Sequence, residues 1–174
     1  MSEVSIRGAS PKDIPAITHI YADAVEHSTA SFELESPDEA EIARRQERLL
    51  ANGYPYLVAE LAGAIAGYAY AGPYRARPAY KWTVENSIYV APRFHRRGIG
   101  LRLLKRLIVE TEQRGFRQMI AVIGDSAQMP SIALHAAAGF DMIGTLRAVG
   151  FKHGKWLDTP LMQLTLGKGD TAPP

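Results

Sequence analysis

At 174 residues, 47% of them hydrophobic, the chain is long enough to bury one core and short for two ordinary domains. Its 20 Lys and Arg against 18 Asp and Glu leave a net charge of only +2, which argues against general nucleic-acid binding, and the lack of cysteine excludes disulfides, thiolate metal sites and cysteine nucleophiles. No apolar run reaches the roughly 18–20 residues of a membrane span and no basic-then-apolar leader opens MSEVSIRGAS, so a soluble, cytoplasmic protein without a membrane partner is expected.

In chain order, Val4–Arg7 reads as a short strand. Ser10-Pro11-Lys12-Asp13 then starts a helix, with serine as cap, proline in the first turn and an acid close behind; Ile14, Ile17, Tyr21, Ala24 and Val25 form its inward stripe. Ser36-Pro37-Asp38-Glu39 has capping-box spacing and opens a second helix, through Ile42 and Leu49–Leu50, that stops at Gly53. Strands follow at Tyr56–Leu61 and Ile65–Ala71, flanking Gly63, and at Thr83–Val90 after the irregular stretch Gly72–Tyr80. A helix over Ile99–Arg114 ends at Gly115, Met119–Ile123 is a short strand, and Ser131–Ala138 is a short helix before Gly139. Two strands, near Ile143–Phe151 and Trp156–Leu166, meet at Lys152-His153-Gly154-Lys155. The order βααβββαβαββ predicts one α/β (α+β) domain over residues 1–166 with a mixed sheet flanked by helices; residues 167–174 read as a disordered tail.

The segment richest in chemistry is VENSIYVAPRFHRRGIGL, Val84–Leu101. Pro92 ends a strand, and Leu101, Leu103, Leu104, Leu107 and Ile108 repeat with helical spacing. Between them, Gly98 and Gly100 leave backbone N–H groups at a helix start free to meet an anion, aided by the positive end of the helix dipole. Arg93, Arg96 and Arg97 add full charges. A dinucleotide fingerprint is absent because Leu103 stands where its third glycine would be, and no G-x-x-x-x-G-K-[ST] occurs. In the strand itself, Thr83, Glu85, Ser87 and Tyr89 share one face, so Glu85 is a candidate base beside the anion site.

The element order, the strand followed by HRRGIG, and Ser131-Ile132-Ala133-Leu134-His135-(x)₃-Gly139-Phe140 together resemble the GNAT superfamily of N-acetyltransferases. Ala69–Val90, Ala121–Asp125 and Thr145–Asp158 are similar to the phosphinothricin N-acetyltransferases and their relatives acting on methionine sulfoximine and sulfone. That resemblance implies acetyl transfer from acetyl-CoA to the α-amino group of a small amino acid analogue, in a ternary complex, by a homodimer without a metal. Within it, Ile88, Tyr89 and Val90 are implied to pair with pantetheine, and His95–Gly100, with Ile99 in the turn, to hold the pyrophosphate. Gln128 and Ser131 are implied on the cofactor side, Gln128 standing where the family usually has Asn and His95 where it usually has Gln. Glu85 and His135 are the implied catalytic pair, and Phe32, Tyr74, Arg75, Arg77, Tyr80, Thr83 and Val84 join Glu85 in the substrate wall. Guanidinium forks such as Arg75 and Arg77 suit a carboxylate or phosphinate.

Other classes fit less well. Gly124-Asp125-Ser126-Ala127 lacks the closing glycine of a nucleophile elbow, and His19, His27, His95, His135 and His153 show no metal-ligand spacing. An acetyl-CoA sensor without turnover shares every feature of the cofactor side.

Overall fold

The computed structural model describes residues 3–174. Its elements are β1 (Ser5–Gly8), α1 (Ile14–His27), α2 (Glu39–Ala51), β2 (Tyr56–Leu61), β3 (Ala64–Pro73), β4 (Thr83–Val90), α3 (Ile99–Gln113), β5 (Gln118–Val122), α4 (Met129–Ala137), β6 (Asp141–Lys152) and β7 (Lys155–Thr165). This is the predicted order, in one mixed seven-stranded sheet of spatial order β1-β2-β3-β4-β5-β7-β6. Every neighbouring pair is antiparallel except β4 and β5, which are joined by the crossover helix α3.

Strand parity sorts the core into two layers. On one face Tyr56, Val58 and Tyr68 pack under Ile17, Tyr21 and Val25 of α1 and Ile42 of α2. On the other, Leu57, Ala59, Ala69, Ala71 and Val84 meet Leu103, Leu104 and Leu107 of α3. Alanines on the sheet side let the α3 leucines approach closely. Each of those fully buried leucines contributes roughly 1.5–3 kcal/mol.

The helix starts show which local signals prevailed. Asp13 accepts from the Ser10 backbone N–H at 2.8 Å and hydroxyl at 3.0 Å, so the first start behaves as predicted, with a short 3₁₀ turn over Pro11–Asp13 leading in. At the second start the cap is Asp38, whose Oδ1 accepts from Glu41 N at 2.8 Å. Ser36 instead donates to Glu26 at 2.9 Å. The predicted signal sat two residues early because a carboxylate adjacent to the helix outcompetes a more distant hydroxyl for the first free N–H groups. Residues 167–170 form a turn and 171–172 a bend, and Arg117 Nη2 donates to Pro173 O at 3.1 Å. No described helix is long and apolar enough to cross a membrane.

Candidate active site

The site begins where the sheet opens. β4 and β5 pair only from Thr83↔Gln118 to Asn86↔Ala121, while β4 continues against β3 as far as Gly67↔Val90. From Ser87 to Val90 the β5 side of β4 therefore carries no ladder partner. A cavity of about 450 Å³ fills the fork, walled by Tyr21, Phe32, Glu85, Ser87, Ile88, Tyr89, Gln128, Ser131 and His135 among others. Residues distant in sequence, from α1 to α4, thus meet at one opening.

Glu85 lies on the α1 and α2 side of β4, in the alternation that also places Ser87 and Tyr89 there. It forms no ion pair or side-chain hydrogen bond among the described residues. Burial alone, with no cation to oppose it, pushes its carboxyl above the ordinary range. A second cavity of about 470 Å³ shares Tyr21, Tyr70, Glu85 and Ser87 with the first, so Glu85 stands between the two. A partly desolvated, partnerless carboxylate facing open space holds a proton more readily than an ordinary one, which suits a general base.

His135 approaches from the other side of β4. Asn86 Nδ2 donates to Ile120 O at 3.2 Å, and its Oδ1 lies 3.0 Å from His135 Nε2. The other ring nitrogen, Nδ1, is 2.8 Å from Ser131 O, one helical turn back. The ring is 3% exposed, sits edge-on to Phe140, and is held below the usual histidine range by burial. A neutral imidazole has one N–H to donate, so the ring bonds one of these two acceptors at a time, Ser131 O within α4 or Asn86 Oδ1 across to the last β4–β5 pair. Asn86 was not singled out in the sequence, although a polar residue at an inward strand position is itself a signal.

At the start of α3 the backbone has the geometry of an anion cradle. Gly98 precedes α3 with φ +73°, a left-handed conformation that favours glycine, and offers no side chain to cap the helix. Arg102 N is the first to bond back, to Gly98 O at 3.2 Å, so the N–H groups of Ile99, Gly100 and Leu101 point outward. The Arg93 and Arg97 guanidinium groups lie 4.8 and 5.7 Å from the Phe94 ring centre, while Arg96 is exposed with φ +60°. His95 uses its side chain too: Nε2 donates to Val90 O at 2.8 Å and closes the end of β4.

The remaining residues fall in several places. Tyr74 and Tyr80 stack edge to face, and the Arg75 guanidinium lies 5.1 and 5.7 Å from their ring centres. This loop is anchored by Tyr74 N donating to Thr83 O at 3.4 Å. Arg75, Arg77 and Tyr80 are exposed and line neither cavity. Thr83 borders a separate surface hollow with Arg117 and the C-terminal turns. Val84 is fully buried under α3, with its side chain away from the cavity. Tyr21, Glu33 and Tyr70 line the fork without having been singled out for it. Among the described residues, no three His, Cys, Asp or Glu side chains are placed to hold a metal.

A forked β4–β5 pair with a backbone anion cradle on one arm and an unpaired carboxylate on the other defines an acyl-transfer cleft of the GNAT type. The family model described as "Acetyltransferase (GNAT) family" matches residues 18–140, and the chain belongs to that family. A phosphinothricin N-acetyltransferase of Alcaligenes faecalis is 49% identical over 170 residues, 98% of this chain and 86% of its own. An L-methionine sulfoximine/L-methionine sulfone acetyltransferase of Pseudomonas aeruginosa is 40% identical, over 97% of this chain and 98% of its own. The crystal structure of a phosphinothricin acetyltransferase from Sinorhizobium meliloti in complex with AcCoA superposes with a TM-score of 0.95 at 48% identity, covering 98% of this chain and 92% of that one.

Proposed function

We propose that the protein moves the acetyl group of acetyl-CoA to the α-amino group of a small amino acid analogue of the phosphinothricin, methionine sulfoximine or methionine sulfone type. The observation that carries this reading is Glu85, a half-buried carboxylate with no partner, facing the fork between β4 and β5. A free amine is mostly protonated at neutral pH and cannot attack. Glu85 takes its proton, directly or through a water, and its raised affinity for protons matches it to the task.

Acetyl-CoA supplies the activated thioester. The chain's residues fit that partner: unladdered backbone groups at Ile88–Val90 for amides, and outward N–H groups at the start of α3 with Arg93, Arg96 and Arg97 for a pyrophosphate. Holding amine and thioester together supplies most of the acceleration. Asn86 and His135 keep the fork at a set opening, a positioning role rather than proton transfer. Phe32 lines the amine side, while Tyr74, Arg75, Arg77 and Tyr80, implied there by the resemblance, line neither cavity.

The homodimer implied by resemblance is supported by β6. This twelve-residue edge strand exposes Met142, Ile143, Leu146, Val149 and Phe151, each 48–58% accessible, beside Trp156 at 67%. A long apolar edge strand invites pairing with a second copy. Sedimentation should report a dimer, and Val149→Lys with Phe151→Lys a monomer. Use of acetyl-CoA would place the reaction in the cytoplasm.

The test of the function is release of free CoA with each of the three analogues and with ordinary amino acids, in EDTA. We expect turnover of at least one analogue well above that of ordinary amino acids. Binding of acetyl-CoA with no turnover of any amine would make the protein a sensor and overturn the proposal.

A further inference from the structure

The first half of the connection between α1 and α2, Ser28–Glu33, lines the fork with Glu85, and it is tied down at two places. Thr29 is buried, and its hydroxyl donates to Asp125 Oδ2 at 3.1 Å while accepting from Gln128 Nε2 at 3.0 Å. Asp125 is held in turn by Ala127 N, which donates to its Oδ1 at 2.9 Å. Backbone meets backbone here: a side chain at Gly124 would collide with the Thr29 carbonyl. Two residues on, Ser31 O accepts from the buried Lys152 Nζ at 2.7 Å, Ser31 Oγ meets the Tyr21 hydroxyl at 3.0 Å, and the Phe32 ring occupies the space that a side chain at Gly150 would need.

Gln128 therefore spends its side-chain amide on the α1–α2 loop while its residue still lines the fork. A shorter Asn at this position would fall about 1.5 Å short of Thr29, one carbon–carbon bond. We propose that Gln128 is a positioning residue of the amine half of the site, fastening the loop through Thr29 so that Ser31 and Phe32 present a fixed wall to the substrate. The inference rests on the proposed amine-acetylating activity. A fixed wall lowers the ordering cost of substrate binding, so loosening it raises the amine's KM and leaves the acetyl-CoA arm alone.

The experiment compares Gln128→Asn, Thr29→Val and the double variant with the wild type. KM is measured for the best analogue and for acetyl-CoA, together with backbone hydrogen exchange over residues 29–33 and melting temperature. For Gln128→Asn we expect the amine KM to rise about 3- to 10-fold, the range of one hydrogen bond, with acetyl-CoA KM unchanged and faster exchange over 29–33. Thr29→Val, which removes the bonds to both Asp125 and Gln128, should cost about 10-fold or more, and adding Gln128→Asn to it should cost nothing further, since the valine has already taken away Gln128's partner. Thr29→Ser, which keeps the hydroxyl, should behave as wild type. An acetyl-CoA KM that rises as much as the amine's would return Gln128 to the cofactor and overturn the inference. Unchanged exchange over 29–33 would overturn it whatever the substrate. A wild type that acetylates none of the analogues overturns the substrate reading instead, and the exchange measurement then still decides whether the fastening exists.

Discussion

The proposed cofactor arm of the cleft is one stretch of chain, Ile88–Arg102, whereas the proposed amine arm is assembled from the α1–α2 loop, β3, β4, the β5–α4 turn and β6. The first works through backbone: outward N–H groups at a helix start and an unpaired strand edge, with arginines around them. The second works through side chains: Glu85, Tyr21, Tyr70, Phe32 and the ties that hold the loop. A backbone site tolerates exchange of side chains so long as φ and ψ persist. His95 accordingly finds a use of its own, closing β4 at Val90. A side-chain site has no such tolerance, because each group is unique.

The contrast is sharpest at Glu85. Glu85→Gln should lower kcat by roughly 10²-fold or more while leaving the KM for acetyl-CoA as it is; a cofactor effect of similar size would merge the two arms. The same residue sets the pH profile. Its carboxyl binds protons more tightly in the folded state than the unfolded, so it must be ionised to act, and kcat/KM should fall as pH drops through its raised pKa, with that limb missing in Glu85→Gln. Stability runs the other way. The folded state holds the extra proton, so the native form is favoured below the ordinary carboxyl pKa and loses that advantage as pH rises through the raised one. Glu85→Gln should therefore melt higher than wild type near neutral pH and show little gain in acid.

On the other arm, Gly98→Val forces a branched side chain into left-handed backbone, a strain of about 1–2 kcal/mol, and should raise the acetyl-CoA KM about 10-fold with the amine KM untouched. The smallest effect is expected at the outer edge. Arg75→Ala should raise the amine KM a few-fold without moving that of acetyl-CoA, since Arg75 is exposed and stacked on Tyr74 and Tyr80 rather than lining the fork. Equal changes in both KM values would give the loop another job.

Much of this was legible in the sequence. β2 and β4 fall on the residues predicted for them, and the other elements shift by one to three residues at their ends. The strand alternation that put Glu85, Ser87 and Tyr89 on one face was readable because a strand's period is two. Less legible was which of two neighbouring polar residues caps α2, a competition decided by distance to free N–H groups and won by Asp38.

What the sequence alone determined, then, is the local architecture: the element order, the glycine-opened helix start with its arginines, and the face on which Glu85 lies. These follow from backbone preferences and periodicities that neighbouring residues impose on one another. Only the tertiary structure decided that β4 and β5 part after Asn86, that His135 is held between Ser131 and Asn86, and that Gln128 serves Thr29. The pairs His135–Asn86, Gln128–Thr29 and Lys152–Ser31 lie 49 to 121 positions apart, and no local preference encodes a partner at such a distance. They arise when two helical layers pack on opposite faces of one sheet and bring remote side chains to the place where it splits.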